Sequence, residues 1–387
     1  MIKRAIYSTS YKKTKGRLYL EEESVNRNPF QRDRDRVIHS DSFRLLKHKT
    51  QVFVAHTGDY YRTRLTHSLE VSQIARTVAR MLNIDEDLSE VLALAHDLGH
   101  PPFAHSGEDV LDKCMKNYDG FDHNAQTLRI LTTLEERYPL FDGLNLTWET
   151  LEGIVKHNGP LKTPHLVIGE FNNKFDLDLL TYPGLEAQIS SLSDDIAYNN
   201  HDIDDGFRAG FITLSDLKGI NFLSEIINQI NSEFKDIDDH MIVKELIRRL
   251  IGLMIDDLIK ETRKNINSFS PKSAEDIRGH LFPVASFSDF FIKQDEEIRT
   301  FLKSRVYEHN SIKSERLNSM KIIEGLFTKL INNIDLLPKD LRKKCDTPKS
   351  KISARVVCDY IASMTDRSAV ENYAKIYGKD TREQPGY

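Results

Sequence analysis

The chain has few of the features that would mark it as secreted, membrane-spanning or disulfide-stapled. Its three cysteines, Cys114, Cys345 and Cys358, are far apart and form no C-x-x-C pair among 387 residues. That argues against a disulfide framework and a thiolate zinc site. Apolar runs are short: Val91–Ala95 is among the longest, against the ~18 consecutive residues that suggest a membrane span. The first twenty residues carry Lys3, Arg4, Lys12, Lys13, Lys15 and Arg17 without an apolar stretch. No secretory signal is readable there, and the expectation is a cytoplasmic protein with no membrane partner. Neither sign of charge dominates, with 54 Lys and Arg against 59 Asp and Glu for a formal net charge of −5. Bulk electrostatics therefore do not mark a nucleic-acid binder, and an anionic ligand would need a local basic pocket. Strand-like alternation is also scarce, with Leu166–Glu170 and Leu217–Phe222 as weak candidates.

The composition is 39% hydrophobic and 29% charged, with a mean hydropathy of −0.47. Those values suit a globular chain with a sizeable core. The length allows two or three domains, or one large helical unit. Residues 1–31 are polar, charge-rich and without periodicity, and read as an arm or mobile entry segment. From residue 32 the pattern is helical. His67, Val71, Ile74, Val78 and Met81 recur at spacings of four and three, one face of a helix over 66–82 with Thr66 as N-cap and the break at Asn83. A second helix runs over about 87–98 and is stopped by Gly99 and Pro101-Pro102. A third covers about 185–200, and further helical periodicity occupies 222–265, 313–335 and 352–376. Residues 158–182 read as a loop, long enough for a lid or contact segment. The fold class expected is all-α with additional C-terminal helices and room for one short hairpin. Its divisions are an arm at 1–31, a core at 32–206 and a C-terminal helical region at 207–387, with a soft boundary near Asp204-Asp205-Gly206.

Eleven of the 14 histidines lie within the first 201 residues, and the sharpest local signal is among them. His96-Asp97 closes a strongly apolar helix, where an ionised carboxylate is costly unless paired or bound to a metal. His67 sits on the edge of one helical stripe, and Asp194 is flanked by Leu192 and Ile196 on another. Two neutral imidazoles and two carboxylates would neutralise a divalent cation, and mixed N/O ligation suits manganese, iron, zinc or nickel and tolerates magnesium. On a six-coordinate ion they would leave positions for water and a substrate oxygen. A His-Asp pair at a helix end is more commonly a capped or hydrogen-bonded pair, and spacing alone leaves the two readings balanced.

The string Arg62-Thr-Arg-Leu-Thr-His-Ser-Leu-Glu-Val71, followed by Ala95-His-Asp-Leu-Gly-His-Pro-Pro-Phe-Ala-His105, resembles the HD-domain phosphohydrolases, and within them the deoxyguanosinetriphosphate triphosphohydrolase-like branch. The likeness continues through Phe43–Val52, Phe121–Gln126, Lys156–Pro160, Ser193–Tyr198 and Asp359–Asp366, nearly the whole chain. It implies an HD-domain helical core and one divalent ion per site (Mn, Mg, Fe, Co, Ni or Zn) held by His67, His96, Asp97 and Asp194. The implied reaction is hydrolysis of a deoxynucleoside triphosphate to the deoxynucleoside and tripolyphosphate. The resemblance also implies a homo-oligomer, a tetramer or hexamer, with a deoxynucleotide or single-stranded DNA as effector.

Other groups take roles beside that centre. His105 and Glu108, three apart, share a helical face, so the carboxylate can orient the imidazole. The resemblance places His105 near the α-phosphorus or the leaving 5′-oxygen, with Glu108 behind it, and His100 and His123 join them as candidate catalytic groups. Arg62 and Arg64 precede the helix bearing His67, where guanidinium forks and a helix N-terminus suit phosphate. Arg44, Lys49 and Gln51 have weaker claims on the substrate. Asp194, Tyr198 and Asp202 fall at i, i+4 and i+8 on one face; the resemblance makes Tyr198 the group that excludes a ribose 2′-hydroxyl and Asp202 the acceptor for the 3′-hydroxyl. Tyr307 is a candidate for stacking on the base. The basic segment 339–355 reads as a solvated surface, with an effector site as the alternative. Two other readings stay open: an HD phosphohydrolase for a nucleoside monophosphate or guanosine polyphosphate, and a nucleotide- or single-stranded-DNA-binding regulator with a structural metal.

Overall fold

A computed structural model of the protein describes residues 4–51 and 61–378. The helices, in chain order, are α1 (Pro29–Ile38), α2 (Asp41–Leu45), α3 (Arg64–Leu82), α4 (Glu86–Ala95), α5 (Ala104–Met115), α6 (His123–Arg129), α7 (Trp148–Val155), α8 (Leu166–Asn172) and α9 (Leu185–Arg208). They continue with α10 (Leu214–Leu217), α11 (Asn221–Glu233), α12 (Asp239–Phe269), α13 (Ala274–Arg278), α14 (Asp289–Leu302), α15 (Asn310–Asn332), α16 (Lys339–Arg342), α17 (Lys351–Ala362) and α18 (Asp366–Tyr377). Among the described residues there is no sheet, only isolated bridges such as Arg17 to Thr147. The fold is all-α. The hairpin expected from the two apolar runs does not form: the first is α8, and the second spans the end of α10 and the start of α11.

Three buried clusters organise the packing. One joins α3 and α9 to α11, α12 and α14 through residues such as Val78, Ile189, Leu223, Leu246 and Leu302. A second gathers α1, α4, α6 and α7 around Leu92, Leu128 and Trp148. The third packs α5 against α15, α17 and α18 through Leu111, Phe327 and Val357. Each fully buried Leu, Ile, Val or Phe contributes roughly 1.5–3 kcal/mol, so these clusters fix the mutual placement of α3, α4 and α9, the helices that matter most below. Residue 206 lies inside α9, which runs on to Arg208, and the first cluster draws on residues either side of it.

Local boundaries depart from the sequence reading in physically simple ways. Thr63, not Thr66, caps α3: Thr63 and Thr66 exchange side-chain and backbone hydrogen bonds in a capping box. Asn83 ends that helix in the left-handed region (φ 57°). Met81 turns outward, and the neighbouring Leu82 is buried in its place. The entry segment is packed rather than mobile among its described residues. The Arg17 guanidinium meets Asp33 at 2.5 Å and the Asn145 carbonyl at 2.7 Å, and Ser8 and Thr9 donate to Glu186. The segment read as a loop carries α8 and buries Leu177 and Leu179.

Candidate metal centre and adjoining cavity

Helix α4 ends at Ala95, and His96-Asp97 occupy the turn that follows it rather than the helix itself. The backbone N–H of His96 still donates to Leu92, while Gly99 lets the turn press onto the start of α6. A Cβ at residue 99 would collide with the His123 carbonyl oxygen. The Gly99 N–H donates to Thr127 Oγ1 at 2.9 Å, pinning that contact. Beyond the turn, Phe103 and Ala104 both take positive φ, 64° and 54°, a costly conformation for residues with a side chain. Asp366, at the start of α18, holds this strained corner: one carboxylate oxygen accepts from Phe103 N–H at 2.9 Å and the other from Thr50 N–H at 2.9 Å.

His67 from α3, His96 from the turn and Asp194 from α9 bring one ligand atom each within 4.8 Å of one another. His67 Nε2 lies 2.8 Å from Asp194 Oδ1. His96 donates from Nδ1 to the Ala93 carbonyl at 2.6 Å, which turns its Nε2 toward the two carboxylates. That nitrogen is buried without a hydrogen-bond partner, and Asp97 Oδ1 and Asp194 Oδ1 stand 3.5 and 3.6 Å from it. Asp97 lies beside the trio, its Oδ2 accepting from Arg64 Nη1 at 2.8 Å and its Oδ1 3.3 Å from His100 Nε2. Burial disfavours charge on His96, yet Asp97 and Asp194 reverse this and push it up to about 9. Burial likewise opposes ionisation of Asp194, but His96 and the hydrogen bonds of His157 and His67 hold it well below the usual carboxylate range. The pocket therefore draws in positive charge, a proton on His96 or a cation in its place. A buried imidazole nitrogen without a hydrogen-bond partner among hard carboxylate oxygens fits a divalent ion of the Mn, Fe, Ni or Zn type.

His157 and His201 border this cluster, and the sequence reading did not single them out. His157 stacks on His96 with ring centroids 5.3 Å apart, and its Nε2 is 3.5 Å from Asp194 Oδ2. His201 Nδ1 is 3.3 Å from His67 Nδ1, and its Nε2 is 2.9 Å from Glu70 Oε2. His201 could have been found by register, since it follows Asp194 by seven residues on α9. His157 follows α7 in a turn, where no periodicity points to it.

The second titratable group is contiguous with the first. His100 stacks on His123 at 4.0 Å and meets His105 edge-on at 5.3 Å. Glu108 accepts from His123 Nδ1 at 2.7 Å and lies 3.4 Å from His105 Nδ1. Burial alone would raise Glu108, but the two histidines hold it below the carboxylate range. Partial burial opposes charge on His123, yet the hydrogen bond with Glu108 raises its pKa. The His105 side chain is 61% exposed and free to meet a ligand.

A cavity of about 220 Å³ is lined by His67, His96, Asp97, Asp194, Arg64 and His100 among others. A larger one, about 650 Å³, adjoins it and shares Gln51, His105 and Tyr198 with it. Tyr307 lines the larger cavity, and its hydroxyl hydrogen-bonds Asp202. The Tyr198 and Tyr307 rings lie 6.5 Å apart. Asp202 is fully buried, and desolvation pushes it up to about 8. Lys49 is also engulfed, donating to the His100 and Ala362 carbonyls at 2.6 and 2.9 Å, and burial pushes it down to about 7.

Two expected phosphate contacts are placed elsewhere. Arg62 is committed to Glu70, Asp204 and Asp205 at 2.8–3.1 Å, so three carboxylates occupy its fork. Arg44 is exposed at 60%, bonds the His39 carbonyl and pairs with Asp41. Neither lines either cavity. In the basic segment, Arg342, Lys343, Lys344 and Lys351 pair with Asp335, Asp340, Glu136 and Asp119 across exposed surface.

Comparison with known proteins matches the region that carries these residues. The HD domain pattern matches residues 64–199, and the phosphohydrolase-associated domain pattern matches residues 285–375. A protein of Parvibaculum lavamentivorans named "Deoxyguanosinetriphosphate triphosphohydrolase-like protein" is 50% identical over 380 residues, 96% of each chain. Proteins of the same name from Bradyrhizobium sp. and Caulobacter sp. are 50% and 47% identical, covering 97% and 98% of this chain and 96% and 98% of their own.

Proposed function

This chain belongs to the deoxyguanosinetriphosphate triphosphohydrolase-like family of HD-domain proteins, and from that premise we propose that it is a metal-dependent hydrolase that splits a deoxynucleoside triphosphate into the deoxynucleoside and tripolyphosphate. The observation that carries the reading is the convergence of His67, His96 and Asp194 in a small polar cavity that opens into a larger one lined by tyrosine.

His67, His96, Asp97 and Asp194 would hold the ion. When bound, a divalent cation supplies Lewis-acid polarisation of a phosphoryl oxygen and acidifies a nearby water. Arg64, buried and fixed on Asp97, is the guanidinium positioned to offset phosphate charge. His105 stands at the junction of the two cavities and, as the exposed member of its cluster, is the group to protonate the leaving 5′-oxygen. Glu108 and His123 orient it, and His100 ties that cluster to Asp97. Tyr198 walls the sugar position and crowds a 2′-hydroxyl, and Tyr307 and Gln51 line the space left for the base and sugar; Asp202, expected to accept from the 3′-hydroxyl, is buried, lines neither cavity and holds the Tyr307 hydroxyl instead.

The test is a screen of the four deoxynucleoside triphosphates with manganese, magnesium or cobalt, separating the phosphate products. Tripolyphosphate released with free deoxynucleoside supports the reading. Orthophosphate or pyrophosphate instead would reassign the chain to another HD phosphohydrolase reaction. No cleavage, with salt-dependent DNA binding, would make it a regulator.

A further inference from the structure

The helices that supply His67 and Asp194 carry a second pair of residues directly behind them. Glu70 follows His67 by three residues on α3, and His201 follows Asp194 by seven on α9, so both pairs lie between the same two helices. Arg62 holds Glu70 in place with Nε–Oε2 at 3.1 Å and reaches Asp204 and Asp205 on α9 with its other end. His201 is 3% exposed and lines neither cavity, so it has no route to substrate.

The hydrogens in this chain of contacts follow from what each group can do. An ionised carboxylate only accepts, so the 2.9 Å contact between His201 Nε2 and Glu70 Oε2 puts the hydrogen on His201 Nε2. A neutral imidazole then has only a lone pair at Nδ1, and the hydrogen in the 3.3 Å contact with His67 belongs to His67 Nδ1. His67 Nε2 faces a carboxylate oxygen of Asp194 at 2.8 Å, the position where a cation would take the place of a hydrogen. We propose that Glu70 and His201 form a tautomer relay that fixes the hydrogen of His67 on Nδ1 and so keeps Nε2 available as a metal ligand. This deepens the metal-centre reading above and rests on it. Both are positioning residues, acting through His67, as hydrogen-bond partners of metal-bound histidines commonly do.

The full-length protein tests this by two measurements. Two-bond ¹H–¹⁵N correlation on metal-free protein with labelled histidine, using His67→Asn to assign the signal, should show His67 protonated at Nδ1. Titration calorimetry with Mn²⁺ gives the Kd. His201→Phe removes the acceptor; the His67 hydrogen should move to Nε2, and Kd should rise roughly 10–100-fold. His201→Gln keeps an oxygen that can accept from Nδ1–H and should recover most of that affinity, which a purely space-filling role would not predict. Glu70 has a side chain 45% exposed, so Glu70→Ala leaves the core intact and should weaken Mn²⁺ in the same direction by less. The relay is overturned if His201→Phe and Glu70→Ala keep the wild-type Kd, if His67 stays protonated at Nδ1 in His201→Phe, or if the glutamine variant is as weak as the phenylalanine one. Wild-type protein that binds no Mn²⁺ would instead sink the metal-centre reading itself.

Discussion

Glu186 and Asp194 lie eight residues apart on α9, and their surroundings treat them in opposite ways. Glu186 receives hydrogen bonds from Ser8 Oγ, Thr9 N–H, Thr9 Oγ1 and Asp85 N–H at 2.7–3.2 Å. Every neighbour gives it a hydrogen, and its charge is spent on fastening the entry segment and the α3–α4 turn to α9. Asp194 is met instead by imidazole nitrogens of His67, His96 and His157 at 2.8–3.6 Å. Glu186 is fully buried and closed by backbone and hydroxyl donors; Asp194, 26% exposed, is ringed by imidazoles, which can exchange a hydrogen for a cation. Burial alone does not separate the two; the chemistry of the neighbours does.

The comparison can be broken most forcefully at the metal side. His96→Ala or Asp97→Ala is expected to lower turnover by roughly 10³-fold or more and to strip bound metal, while circular dichroism shows an intact helical fold. Glu186→Ala should do the reverse. It strands several buried donors and should cost about 3 kcal/mol in urea denaturation, with metal content and turnover per folded molecule retained. If both variants lost metal equally, the contrast would collapse.

Smaller effects sharpen it. Tyr198→Ala should lower the deoxy-over-ribo preference by about tenfold, read as the ratio of kcat/KM for paired nucleotides; an unchanged ratio would remove Tyr198 from the sugar wall. Lys49 is held down at about 7 against an ordinary 10.5. A depressed folded pKa contributes stability that is present above pH 10.5 and lost as pH falls toward 7. Wild-type protein should therefore gain up to about 1.4 kcal/mol per pH unit across that window relative to Lys49→Met, measured by denaturation at pH 7.5 and 9.5. Thr63→Ala should cost about 1 kcal/mol through loss of the α3 cap, with metal affinity little changed.

The helical class, the order of the main helices and the placement of His67, His96 and Asp194 on three separate elements were legible because apolar periodicity is a local signal. So was the shared face of Asp194, Tyr198 and Asp202. The missed features depend on partners far along the chain. Arg62 looked like a phosphate ligand because two of its three carboxylates, Asp204 and Asp205, lie far along the chain on α9. Residues 1–31 read as an arm or mobile segment because polarity in sequence does not reveal that Arg17 meets Asp33 and Asn145. The hairpin failed because short apolar runs fit a buried helix as well as a strand.

Asp366 lies 263 residues beyond Phe103 and 316 beyond Thr50, yet its two oxygens fasten both, and both line the larger cavity. The consequence is for dissection and domain grafting. A fragment trimmed to the 64–199 HD segment would carry His67, His96, Asp97 and Asp194 but lose the clamp on its own strained corner, so the smallest workable unit must reach past α18's first turn.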